Sequence, residues 1–167
     1  MDFLLTEEQK KLKELSRKIA LEKILPKREY FDETEEFPWE IVKELASAGL
    51  FEVYIPQEYE GKGGGVTELS VVAEELSRVC GGIALSFAGT ALGTYPILLF
   101  GNEKQKKKYL PLIAKGEKLA AFGLTEPNAG SDASSIQTQA KKVEGGYLLN
   151  GTKQWISDAS IADFAIV

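Results

Sequence analysis

The sequence predicts an α+β chain: an N-terminal all-α helical bundle, then the start of an antiparallel β domain. Three observations predict it. Apolar residues recur at helical spacing as far as about Gly116. Beyond that point short alternating segments are punctuated by glycine pairs. The last residues, "ADFAIV", begin another apolar strand where the chain stops, so the sequence reads as cut inside its second domain. The expected division is a helical domain over 1–116 and a partial β domain over 117–167.

The helical half can be taken in order. In "TEEQ", Thr6 caps free N–H groups and Gln9 reaches back, as in a capping box. Leu12, Leu15 and Ile19 then share one face, and Pro26 ends or kinks the helix. In "FPWEIVKELASAGL", Pro38 suits a first turn, Ile41, Val42 and Leu45 form a stripe, and Gly49 offers a left-handed stop. "EYEGKGGG" is an irregular loop. A further helix turns Leu69, Val72, Ala73, Leu76 and Val79 inward, and Gly81-Gly82 punctuates it. "IALSFAGTALGTYPILLFG" is apolar on nearly all sides, which places it in the middle of the bundle. Asn102 caps a short last helix, halted near Pro111.

The β half opens with "KLAAFGLTE", a buried strand. "IQTQAKKVEGGYLLNGTKQWIS" alternates and carries two turn signals, Gly145-Gly146 and Asn150-Gly151, of which the second is the stronger hairpin signal.

Composition excludes several functions. A net charge of -5 argues against general nucleic-acid binding, and the run "KQKKK" reads as a solvated helix face. The single cysteine, Cys80, rules out a disulfide within the chain, fits a reducing compartment and reads as a packed thiol. With no histidine there is no Ser-His or Cys-His catalysis and no His-ligated metal, so no metal site is expected. The start "MDFLLTEEQKK" lacks the basic start and long apolar core expected of a signal peptide. Ile83 to Phe100, broken by Ser, Thr, Pro and Gly, reads as a buried helix rather than a membrane span.

Chemistry concentrates in "AFGLTEPNAGSD". A strand exits at Leu124, Thr125 offers a hydroxyl, Pro127 stiffens the bend, and "NAGSD" can turn backbone N–H groups toward an anion. Further on, "QWIS" places the flat indole of Trp155 beside Ser157, and a hairpin at Asn150-Gly151 brings it back beside the first strand. Such a loop beside an exposed aromatic seats a planar cofactor with a phosphate tail. A Ser/Asp turn plus a core Trp accounts for the same residues.

"AFGLTEPNAGSDASSIQTQA" followed by "YLLNGTKQWIS" resembles the acyl-CoA dehydrogenase family of flavoproteins, and "IPQEYEGKGGG" and "ALGTYPILLFGNEKQKKKYLP" resemble its helical domain. The resemblance covers essentially the whole chain. It implies a truncated form of the family's fold, with most of the middle β domain and a C-terminal four-helix domain absent. It implies FAD as cofactor, with Phe122, Leu124 and Thr125 along the flavin ring and Gly130 and Ser131 at the cofactor's phosphates or the acyl-CoA. Trp155 would pack on the isoalloxazine and Ser157 would lie near its reactive nitrogen. The implied reaction is α,β-dehydrogenation of an acyl-CoA thioester in fatty acid metabolism. A carboxylate removes the α proton, hydride leaves the β carbon for flavin, and hydrogen bonds polarise the thioester carbonyl. No residue matches the family's catalytic Glu, which lies in its C-terminal part, so the chain alone is expected to be inactive; Glu126 reads as structural. The resemblance further implies electron-transferring flavoprotein as electron acceptor, a homo-oligomer (a homotetramer) in the longer form, and a cytoplasmic location, or the mitochondrial matrix if a targeting segment preceded the chain. Two other readings remain open: a flavin-dependent oxidase or monooxygenase on the same scaffold, and a non-catalytic assembly chain derived from it.

Overall fold

The fold starts at a capping box. In the computed structural model, which describes residues 4–167, Thr6 Oγ1 accepts from the Gln9 N–H at 3.2 Å and Gln9 Oε1 accepts from the Thr6 N–H at 3.0 Å. Helix α1 (Glu7–Ile19) follows. It passes into a π-helical segment, Ala20–Ile24, in which the Leu25 N–H donates to Ala20 O, and it stops before Pro26. The inward face differs from the expected one. Leu12 and Ile19 pack on the core, but Leu15 is 39% exposed, and Ser16 lies inside with its hydroxyl donating to Leu12 O. A hydroxyl that returns its hydrogen bond to the preceding turn can be buried at little cost.

Helices α2 (Arg28–Thr34) and α3 (Trp39–Ser47) come next. Pro38 immediately precedes α3, Ile41, Val42 and Leu45 are buried, and Gly49 takes the left-handed conformation (φ 69). Helix α4 (Val66–Ser77) lies along α1. Its buried Glu75 faces Arg78 at 3.3 Å, Lys13 at 3.4 Å and Arg17 at 3.8 Å. A buried carboxylate needs such compensation, and here the cations staple α1 to α4.

Helix α5 (Gly81–Phe100) is the central element, touching α3, α4 and the β segment. The break after α4 falls at residues 78–80, and Gly81-Gly82 form the first turn of α5 rather than a separate stop. By length and composition α5 could cross a membrane, but more than half of it is buried in this fold. Phe87, Thr90 and Thr94 are fully enclosed, and Phe87 packs against Phe51 and Tyr54. Helix α6 (Glu103–Ala114) is capped by Asn102 and runs through Pro111 instead of halting there. Proline removes one N–H, which leaves Lys107 O without its helical donor, but Lys107 is exposed and water can serve that carbonyl. The helix is ended by Gly116, at φ 66.

Strand β1 (Ala120–Phe122) lies on α5, with Ala120 and Ala121 buried. Gly93 permits that approach: a Cβ there would lie 2.7 Å from Ala120 Cβ. Strands β2 (Gln139–Val143) and β3 (Gly146–Asn150) form the expected antiparallel pair, and β4 (Phe164–Ile166) pairs with β1 in parallel. The hairpin turn is not at Asn150-Gly151. Val143 pairs with Gly146, so the turn is Glu144-Gly145, with Gly145 at φ 80. Asn150 ends β3 opposite Gln139, and Gly151 passes against Thr138, where a Cβ would lie 2.2 Å from Oγ1. Gly151 therefore serves a close crossing rather than a turn.

Candidate functional site

Strand β1 aims the candidate site. Phe122 is half-buried at its end, Leu124 emerges 42% exposed, and Thr125 follows, half-buried. The chain then folds back tightly. The Glu126 N–H donates to Ala129 O at 2.9 Å, and the Ala129 N–H returns to Glu126 O at 3.2 Å, around Pro127 and Asn128. Ala129 is buried, and Gly130 and Ser131 lie exposed at the outer end of the loop. Asp132 stabilises that end: its carboxylate accepts from the Ser134 N–H at 3.1 Å and from the hydroxyls of Ser134 and Ser135. These bonds, the Ser134 hydroxyl first, hold its carboxyl below the usual range.

The second wall is the segment after β3. The Gln154 N–H donates to Thr125 O at 2.9 Å, laying this segment beside the strand exit. The next residue, Trp155, has a left-handed backbone (φ 59) and is 83% exposed. It is therefore not a core tryptophan. Ser157 is exposed, and Asp158, again left-handed (φ 62), faces α5 at Gly89. The Asp158 carbonyl accepts from Ile161 and Ala162 and turns the chain toward β4. The structure thus ties the Gln154–Trp155 stretch to Leu124 and Thr125 beyond the end of β1, sets Ser157 near Gly89 of α5, and carries Gly130 and Ser131 on the loop that leaves the strand.

Beneath this surface lies Glu126, 7% exposed. Its Oε1 accepts from Lys153 Nζ at 2.8 Å and from the Thr138 N–H at 3.0 Å, and its Oε2 accepts from the Gln137 N–H at 2.7 Å. Lys153 Nζ also donates to Leu124 O at 2.9 Å. Lys153 first, then Thr138 and the Gln137 N–H, hold the Glu126 carboxyl down to about 2. Lys153 was missed in the sequence reading. A lysine in "NGTKQWIS" looks like an ordinary exposed charge, and the one hint was a glutamate flanked by Thr and Pro at a strand exit.

The residues present fit a flat cofactor. A large indole and an apolar side chain are both exposed on two segments that the Gln154–Thr125 hydrogen bond ties together, and such uncovered apolar area suits a planar group. Small residues line the loop beyond, open to a polar tail. No group of three or more His, Cys, Asp or Glu suited to a metal occurs among the described residues.

Comparison with known proteins bears on the same segments. Residues 6–117 match the family model for the N-terminal domain of acyl-CoA dehydrogenase, and residues 121–167 match that for its middle domain. A probable acyl-CoA dehydrogenase of Bacillus subtilis is 42% identical over all of this chain and 44% of its own length. An acyl-CoA dehydrogenase from Bacillus anthracis, solved in complex with FAD, superposes with a TM-score of 0.89 at 42% identity, covering 98% of this chain and 28% of that one. A chain from structural work on the electron transferring flavoprotein of Acidaminococcus fermentans gives a TM-score of 0.94 at 38% identity, over 100% of this chain and 44% of that one. The chain thus spans less than half the length of the relatives it matches. Matches to both domain models, in the order and at the segments that build the site, leave one conclusion: the chain belongs to the acyl-CoA dehydrogenase family.

Proposed function

We propose that this chain supplies the helical half and the flavin-facing β segment of an FAD-dependent acyl-CoA dehydrogenase, an oxidoreductase that introduces an α,β double bond into an acyl-CoA thioester. The observation that carries the reading is Trp155, 83% exposed on a fixed backbone beside the exit of β1. The solved relative from Bacillus anthracis contains FAD, and the segments that match it include both walls of the site.

Each residue has a defined task in this reading. Phe122, Leu124 and Thr125 would lie along the flavin ring and Trp155 would pack against it. Ser157 offers a hydroxyl toward the flavin's reactive edge. Gly130 and Ser131 receive phosphate oxygens of the cofactor or of the acyl-CoA. FAD, when bound, supplies the acceptor for the hydride that leaves the β carbon. The protein contributes orientation and the exclusion of water on the indole side. Glu126 is not the base: its carboxyl is held down to about 2, which makes it a poor proton acceptor, and its oxygens are engaged by Lys153, Gln137 and Thr138. The proposal assigns the base to a carboxylate outside residues 4–167. It also places the helical half in 1–116 and the β segment in 117–167, takes electron-transferring flavoprotein as acceptor, a homo-oligomer as the working assembly and the cytoplasm as its location. The solved chain from structural work on an electron transferring flavoprotein supports the acceptor, and the bacterial relatives support the location.

An anaerobic titration tests the proposal. Adding the chain to FAD should shift the flavin absorption bands saturably, and acyl-CoA thioesters should shift them again. A flavin spectrum unaffected by saturating protein would reject the reading.

A further inference from the structure

The Trp155–Ser157 segment has little of its own to hold it. It belongs to no strand, and Trp155 and Asp158 both sit in left-handed backbone, which non-glycine residues adopt reluctantly. Something else fixes it. No other ion pair among the described residues has both side chains as enclosed as Lys153 and Glu126, at 15% and 5% exposed. That single carboxylate joins three stretches of chain. It belongs to the strand exit, it receives the N–H groups of Gln137 and Thr138 at the entry to β2, and it holds the ammonium of Lys153 two residues before Trp155. Lys153 closes the circuit by donating to Leu124 O, and Gln154 adds its N–H to Thr125 O.

We propose that the buried Glu126–Lys153 pair is a latch that fixes Trp155 and Ser157 against the Leu124–Thr125 strand exit, making Glu126 and Lys153 positioning residues for the cofactor face. The use assigned to the latch rests on the flavin reading above; the latch itself does not. Charge-assisted bonds in a solvent-poor setting are stronger and more directional than neutral ones. Removing one charge strands the other and leaves the Gln137 and Thr138 N–H groups facing a weaker acceptor. The local strain at Trp155 and Asp158 is then opposed only by backbone hydrogen bonds such as Gln154 N–H to Thr125 O.

The test uses the 167-residue chain in a Trp39→Phe background, which leaves Trp155 as the only indole. Amide exchange is followed residue by residue, and Trp155 emission is titrated with FAD. Glu126→Gln is expected to speed exchange of the Gln154 N–H about tenfold or more and to weaken FAD quenching about 5–100-fold, the range for loss of a buried hydrogen-bond partner. Exchange in α5 should not change. Lys153→Arg should stay near the parent, and Lys153→Met should behave like Glu126→Gln. Unchanged Gln154 exchange in Glu126→Gln overturns the latch. If that variant does not fold, the two Lys153 variants decide: equal behaviour of Arg and Met overturns it. Faster Gln154 exchange in a protein whose parent never responds to FAD upholds the latch and refutes the flavin reading.

Discussion

Replacing Asp158 with asparagine should make the protein more stable at neutral pH, and the structure fixes both sign and size. Asp158 closes the turn between the Trp155 segment and β4, in left-handed backbone that asparagine also tolerates. Its Oδ2 is shut away from solvent and has no hydrogen-bond partner among the described residues. A Cβ on Gly89 would lie 2.5 Å from that oxygen, so only a glycine in α5 allows the carboxyl to sit there. The adjoining groove brings Arg28, Asp32, Glu35 and Glu36 to the same region. Burial pushes the Asp158 carboxyl up from 3.8 to about 6. The native state therefore holds this proton more tightly than the unfolded chain. The resulting stabilisation is full below the unfolded value and is lost as pH rises through 6. At about 1.4 kcal/mol per pH unit the ionised carboxylate costs at most about 3 kcal/mol at neutral pH, and partial contact with water reduces this to about 1–2 kcal/mol. Asp158→Asn removes the charge at constant shape. Urea unfolding at about pH 7.5 should show the variant more stable by about 1–2 kcal/mol, with the gap closing toward about pH 4. Equal stability at both pH values, or a less stable variant at neutral pH, would show that the carboxylate has a partner or full solvation.

Other predictions follow from the same contacts. Gly93→Ala should destabilise by about 1–2 kcal/mol, because overpacking against the backbone of β1 outweighs the gain in helix propensity; a fall in Tm checks it, and an unchanged or raised Tm would mean that β1 yields. Trp155→Ala should change stability by less than about 0.5 kcal/mol, since the indole is largely exposed, while FAD affinity falls; a large loss of stability would assign Trp155 to packing. In hydrogen exchange, α4, α5 and β4 should be slow and the β2–β3 hairpin fast, because every hairpin residue is exposed whereas Phe164 and Ile166 pack on the core. Slow exchange in the hairpin would point to a surface that covers it.

The helices were legible because their signals are local. Thr6 with Gln9 and Asn102 with Gln105 close their own caps within one turn, and the all-round apolar character of α5 announced a central helix. Boundaries that depend on water or on distant chain were not. Pro111 passes through α6 because the carbonyl it strands is exposed, which no local pattern shows. Asn150-Gly151 has the composition of a hairpin turn, yet the register was already set by Glu144-Gly145, and Gly151 is needed where the chain crosses Thr138. At the site, the two motif blocks stood out by composition, and the structure sets them against each other with Glu126 buried and bonded between them. The partner of Glu126 did not stand out, since Lys153 is separated from it by 27 residues and ion pairs leave no periodicity in a sequence.

The most direct test of the account is to map where FAD touches the chain. In an amide-resolved NMR titration, the account predicts that added FAD shifts Leu124, Thr125, Gly130, Ser131 and the Trp155–Ser157 segment together, with one saturating dissociation constant, and leaves the groove between Arg28 and Ile161 unmoved. No saturable shift at these amides, or shifts confined to that groove, would contradict it.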